Sequence, residues 1–180
     1  MFTVKFKAVD DFDQLKRLSA KEFDESFRDI EGIIELNFNE YKYGYFFEDC
    51  PFGEERLVRW FKDLLAIAIK AQESNYVAYK IPEHPSIWLE FKVKEDEFLV
   101  SIVDDIQRDS ILDLFINQPY KEFQYIDWSN VSISKEVFKK EIVNQGEKLI
   151  HFIEVLNPQI LKSNSINELL VLMNKVASIT

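Results

Sequence analysis

Apolar residues recur with period two over some stretches of the chain and at helical spacing over others, and the switches between the two patterns place its elements. In residues 2–9, FTVKFKAV, the side chains of Phe2, Val4, Phe6 and Ala8 share one face, as in a half-buried strand. Phe12, Leu15 and Leu18 then fall at helical spacing, and Ser19 with Glu22 has the form of a capping box ahead of Phe23, Phe27 and Ile30. This stretch reads as one or two short helices, with a strand open for part of it. From Gly32 the runs IIELNFN and YKYGYFF are β-branched and aromatic, and Asn39-Glu40 joins them as a hairpin. Residues 54–73 carry one apolar stripe of Leu57, Trp60, Phe61, Leu64, Leu65, Ala68 and Ala71, with Glu54 and Glu55 expected in the first helical turn.

Three strands are predicted at 76–81, 86–93 and 97–103, the last two joined by Lys94-Glu95-Asp96. Residues 104–116 fit no single period, and 121–127 alternate again as a strand. Ser132 or Ser134 caps a long helix running to about Leu156, with Gly146 as an internal weak point. A last helix is expected to open at a second capping box, Ser165 with Glu168. Hairpins first and helices against one face make an α+β fold. The pattern predicts a mainly antiparallel sheet of about six strands packed on amphipathic helices, in one domain over residues 1–180.

Composition narrows what such a domain does. The 22 Lys and Arg against 32 Asp and Glu leave a net charge of −10. A surface of that sign does not wrap nucleic acid by neutralising phosphates, nor dock on an anionic membrane through a basic patch. A content of 47% apolar and 14% aromatic residues excludes a disordered chain. The N-terminus alternates and turns acidic by Asp10, unlike a signal peptide, and no apolar run approaches the ~20 residues of a membrane span. The single Cys50 forms no internal disulfide. A cytoplasmic location is the expectation.

Familiar chemistry is sparse. His84 lies between Pro82 and Pro85, His151 sits within a helical pattern, and no Cys or His companions give either a metal-ligand spacing. Asp49 beside Cys50 works against a reactive thiolate. In helical form, Asp105, Asp109 and Asp113 would stack at i, i+4 and i+8 and offer oxygen ligands to a hard cation. Three like charges in a column oppose that form, and a solvated or partner-binding face is the preferred reading. Phosphate-cradling glycine motifs and a GxSxG elbow are missing from the sequence. Trp60, Trp88 and Trp128 read as core residues or interface anchors. No catalytic residue, metal or cofactor is therefore assigned.

Charge is also unevenly spread. Between Glu83 and Asp113 nine acids face only Lys92, Lys94 and Arg108, a net of −6. A field concentrated this way speeds association with a basic partner, and nucleases, whose substrate sites must be positive, are an obvious class.

The run Cys50-Pro-Phe-Gly-Glu-Glu-Arg-Leu57, followed by Val-Arg-Trp60-Phe-Lys-Asp-Leu64-Leu65, resembles a turn and helix of small bacterial immunity proteins that guard against wall-associated, contact-dependent toxins. Ile87-Trp-Leu-Glu-Phe91 and Glu97-Phe-Leu-Val-Ser-Ile102 are similar to their strand region, and Trp128 with Val131-Ser-Ile-Ser134 to the end of the pattern. The helix expected at 165–178 and the N-terminal helical stretch depart from it. The resemblance implies cytoplasmic inhibition of a cognate toxin by binding, and it carries over no catalytic residue. On this reading Glu95, Asp96, Glu97, Asp104, Asp105, Asp109 and Asp113 steer the partner, and Tyr41 and Tyr43 anchor it. The alternative is an enzyme or small-molecule binder with Trp88, Cys50 or His84 at the mouth of a pocket.

Overall fold

The structure is a computed structural model, and it describes residues 1–26, 28–82, 84, 86–105 and 113–179. Its first strand, β1 (Phe2–Ala8), pairs antiparallel with β2 (Glu31–Phe38), setting Phe2 opposite Phe38, Val4 opposite Leu36 and Phe6 opposite Ile34. That register puts the predicted apolar face of β1 against the core and leaves Lys5 opposite Glu35 on the other face. The connection holds two short helices, α1 (Phe12–Leu15) and α2 (Ala20–Glu25), and the expected capping box at Ser19 and Glu22 is formed. β3 (Tyr41–Gly44) closes the predicted hairpin, with Asn39 at φ 57° in its turn. β4 (Glu55–Arg56) adds to the start of β2, completing a four-stranded sheet.

Helix α3 (Leu57–Lys70) starts later than the apolar stripe suggests. Glu54 and Glu55 do not form its first turn: Glu55 pairs in β4, and its carboxylate accepts the Trp60 indole N–H at 2.5 Å. β5 (Tyr76–Lys80), β6 (Ile87–Lys94) and β7 (Glu97–Asp105) then run antiparallel in a second sheet. β8 (Phe115–Ile116) borders β5, while β9 (Phe123–Tyr125) and β10 (Val131–Ser134) share the far edge of β7. The chain is thus α+β and antiparallel throughout, as expected, but its strands divide into sheets of four and six among the described residues.

Helix α4 (Lys135–Leu156) is capped by Ser134 and joins the two sheets. Its Phe138 ring lies 4.8 Å from Phe2 in the first sheet and 5.6 and 5.4 Å from Phe91 and Phe98 in the second. Gly146 is a contact point, because a Cβ there would stand 3.1 Å from the Met173 sulfur of the neighbouring helix. That helix, α5 (Asn164–Ala177), follows a 3₁₀ turn and is capped by Ser163, two residues before the expected Ser165. Trp128 wedges between the sheets, 5.2 Å from the Phe38 ring. The second sheet is covered on both faces, since Tyr76, Ala78, Trp88 and Val103 make a smaller core under Ile116 and Phe123. Among the described residues no helix is long and apolar enough to cross a membrane.

Candidate functional site

The acids expected to steer a partner do not form one surface. Glu95, Asp96 and Glu97 are exposed at the β6–β7 turn, while Asp104 and Asp105 lie at the opposite end of β7. Glu97 and Asp105 are the two ends of the nine-residue strand, eight steps and about 27 Å apart when extended. Asp105 is a correction to the expected surface, because it is only 2% exposed. It alternates with Val103 and Ser101 toward the covered outer face of the sheet. Asp104 is half-buried and Asp113 exposed, and Asp109 lies outside the described residues.

The tyrosines separate as well. Tyr41 is 40% exposed on the edge strand β3, its ring 5.9 Å from Trp128. Tyr43 is half-buried between Trp60 and the exposed His84, with ring distances of 6.0 and 6.3 Å. Burial, and then the nearby Glu55 charge, push its hydroxyl well above the ordinary tyrosine range. Trp88 is fully buried in the smaller core, so it stands at no pocket mouth. Cys50 is partly buried and donates its thiol to the Phe52 carbonyl at 3.0 Å. His151 is exposed on α4, 3.6 Å from Glu154. Among the described residues, no three His, Cys, Asp or Glu side chains are grouped to hold a metal.

Beyond β3 lies a surface the sequence pattern did not single out. Gly44 has φ +78°, and a Cβ there would sit 2.3 Å from the Ile34 carbonyl oxygen, so the chain leaves the sheet at a residue that must be glycine. Residues 45–54 then cross the surface without regular structure and return at Gly53, where a Cβ would meet Gly32 Cα at 2.4 Å. Two glycines thus let the end of the loop rest directly on the β2 backbone. The base is also held by Lys7, whose ammonium donates to the Glu48 carbonyl.

This segment displays apolar rings among acids. Phe47 is 63% exposed, Phe52 60% and Tyr45 36%, and Tyr45 and Phe47 lie 5.8 Å apart. Glu48, Asp49, Glu54 and Glu55 belong to the same eleven-residue stretch, Tyr45–Glu55, and no lysine or arginine interrupts them. Burial raises the Tyr45 pKa, and the neighbouring Cys50, Glu54 and Glu55 raise it further, as expected where negative charge gathers. Large rings held out in water among carboxylates suit a wet, charged contact whose centre is apolar. The signal was present in FFEDCPFGEE, but an aperiodic loop gives no rule for deciding which aromatics face outward.

A different polar feature lies inside the molecule. The Tyr79 hydroxyl donates to Asp63 at 2.8 Å, and the Arg59 guanidinium stands 3.7 Å from the same carboxylate oxygen. Burial pushes Asp63 up to about 6, against the opposing pull of Tyr79, Arg59 and Lys62. No family model matches the chain, no curated protein matches its sequence, and no solved structure matches its fold.

Proposed function

We propose that the chain is an acidic binding protein of immunity type, which inhibits a basic toxin domain of nuclease class by covering its active site. It performs no chemistry of its own. The observation that supports this reading is the loop 45–54, in which Phe47 and Phe52 are 63% and 60% exposed in the same stretch as the exposed Glu48, Asp49 and Glu54. Burying one such ring in a partner is worth about 1.5–3 kcal/mol, so two supply much of a specific affinity once the acids have guided the encounter. The net charge of −10 sets the sign of the partner. Tyr41, exposed on the adjoining edge strand, extends the surface. The acids at Glu95, Asp96 and Glu97 contribute at long range.

The test is co-expression with toxin domains encoded beside this chain. Rescue of growth that is lost in the Phe47→Ala, Phe52→Ala double variant is the expected result. Killing that proceeds equally with and without the chain overturns the reading. Binding unaffected by raising salt from 50 to 500 mM would remove the steering role of the acids.

A further inference from the structure

Positive charge collects at one place in this acidic chain. Arg56, Arg59 and Lys62 recur at steps of three at the start of α3, beside the apolar stripe that Leu57, Trp60, Phe61 and Leu64 turn to the core. Arg28, from the connection between β1 and β2, joins them around a cleft of about 470 Å³ that reaches the N-terminus of α5. That volume lies within the range of small-molecule sites.

The cleft also contains Asp24, Asp29 and Glu168. The two aspartates are held chiefly by backbone amides, and Asp29 also stands 3.9 Å from the Arg56 guanidinium. Asp24 accepts the Asn164 and Ser165 amides at 2.8 and 3.3 Å, and Asp29 accepts the Ile30, Val58 and Arg59 amides at 2.7, 2.8 and 3.1 Å. Arg28 is paired with Asp10 at 2.6 Å and Glu31 at 3.4 Å, and Lys62 with Glu168 at 3.0 Å. Arg59 differs. Its nearest carboxylate, Asp63, is 3.7 Å from Nε, and its guanidinium makes no hydrogen bond among the described residues, though its side chain is only 34% exposed. A guanidinium carries five N–H donors in a planar fork. Here that fork borders the cleft, ion-paired with Asp63 on its Nε side but making no hydrogen bond among the described residues.

We propose that this cleft binds a small oxyanion, the phosphate or carboxylate group of a small molecule, in the fork of Arg59. Lys62 and Arg56 add charge from one side and Arg28 from the other. The fork matches two oxygens of either group. Because Asp29 already occupies the α3 amides, the ligand is held by side chains. The site is separate from the aromatic loop and stands whether or not that loop binds a toxin.

The test is an amide chemical-shift titration of the ¹⁵N-labelled chain at constant ionic strength, with inorganic phosphate, glycerol 3-phosphate and succinate as probes. Saturable shifts at residues 56–63 and 163–166 are expected with at least one probe. A response to the two phosphates alone assigns a phosphate ligand, and a response to succinate alone assigns a carboxylate. Arg59→Gln is expected to weaken binding at least about tenfold, Arg59→Lys less, and Lys140→Gln on exposed α4 not at all. If Arg59→Gln fails to fold, Lys62→Gln replaces it, with an expected loss of severalfold. Failure of all three probes to saturate, or unchanged binding in the folded Arg59→Gln or Lys62→Gln variant, overturns the proposal.

Discussion

The carboxylate of Asp29 accepts the amide proton of Val58 at 2.8 Å, so the first turn of α3 is capped by a residue 29 positions earlier in the chain. The same side chain takes the Arg59 amide at 3.1 Å, and the residue at the helix boundary, Arg56, makes no side-chain cap of its own. Asp29→Ala leaves these amides without their acceptor at a buried position. The expected loss is about 2–3 kcal/mol, while Asp29→Asn, which keeps one acceptor oxygen, loses about 1 kcal/mol. Urea denaturation followed by circular dichroism measures both.

The Asp63 carboxyl predicts a definite pH dependence. Its pKa in the folded chain is pushed up to about 6 from an ordinary 3.8. A carboxyl shifted upward binds its proton more tightly when folded. Its stabilising contribution is therefore full below about pH 3.8 and is lost as pH rises to about 6. Asp63→Asn, which still offers Tyr79 an acceptor, removes this dependence. The stability of the native chain relative to the variant should fall by up to about 3 kcal/mol across that window. Parallel stability curves from unfolding at pH 4, 5, 6 and 7 would contradict it.

Two serines at the start of α5 separate by role. Ser163 accepts the Ile166 amide at 3.3 Å and is fully buried, whereas Ser165 lies inside the first turn. Ser163→Ala is expected to cost about 1 kcal/mol, and Ser165→Ala less than about 0.5 kcal/mol. Thermal unfolding of the two variants distinguishes them.

Gly53→Ala tests the footing of the aromatic loop. The added carbon would stand 2.4 Å from Gly32 Cα, a backbone atom that cannot swing aside. The loop is expected to lift from β2 while the sheets remain paired. Limited proteolysis should then cut between residues 45 and 54 several times faster than in the native chain, with an unchanged far-ultraviolet spectrum. Equal cleavage rates would show that the glycine contact does not hold the loop.

The elements of this fold were largely legible because their signals are local. Alternation at Phe2, Val4 and Phe6, the capping box at Ser19 and the hairpin residue Asn39 each act within a few residues. What escaped depends on partners distant in sequence. Glu55 leaves the expected helix for β4 because β2 offers it a strand to pair with, and Asp29 supplies the cap from outside. The strands divide into two sheets because pairing is decided by packing around Phe138 and Trp128, which periodicity does not encode. Adjacency of acids in sequence predicts one surface only where adjacency in sequence is adjacency in space. A β-strand instead places Glu97 and Asp105 at its opposite ends, and its alternation takes Asp105 inside. The basic row at Arg56, Arg59 and Lys62 was open to the same helical reading as the apolar stripe beside it.

Asn157 and Phe138 have a consequence for synthesis. Phe2 packs on Phe138, the Leu15 and Leu18 carbonyls are satisfied by the Asn157 amide at 2.9 and 2.8 Å, and Asp24 caps the helix beginning at Asn164. The opening segment therefore has no complete set of neighbours until residues 138–164 have left the ribosome. Nascent chains halted near residue 130 should be digested readily by protease, and those extended beyond the ribosomal tunnel to residue 180 should resist. Docking of the opening segment is therefore expected to come after that of the hairpins at residues 31–44 and 87–105, whose partners lie close in sequence.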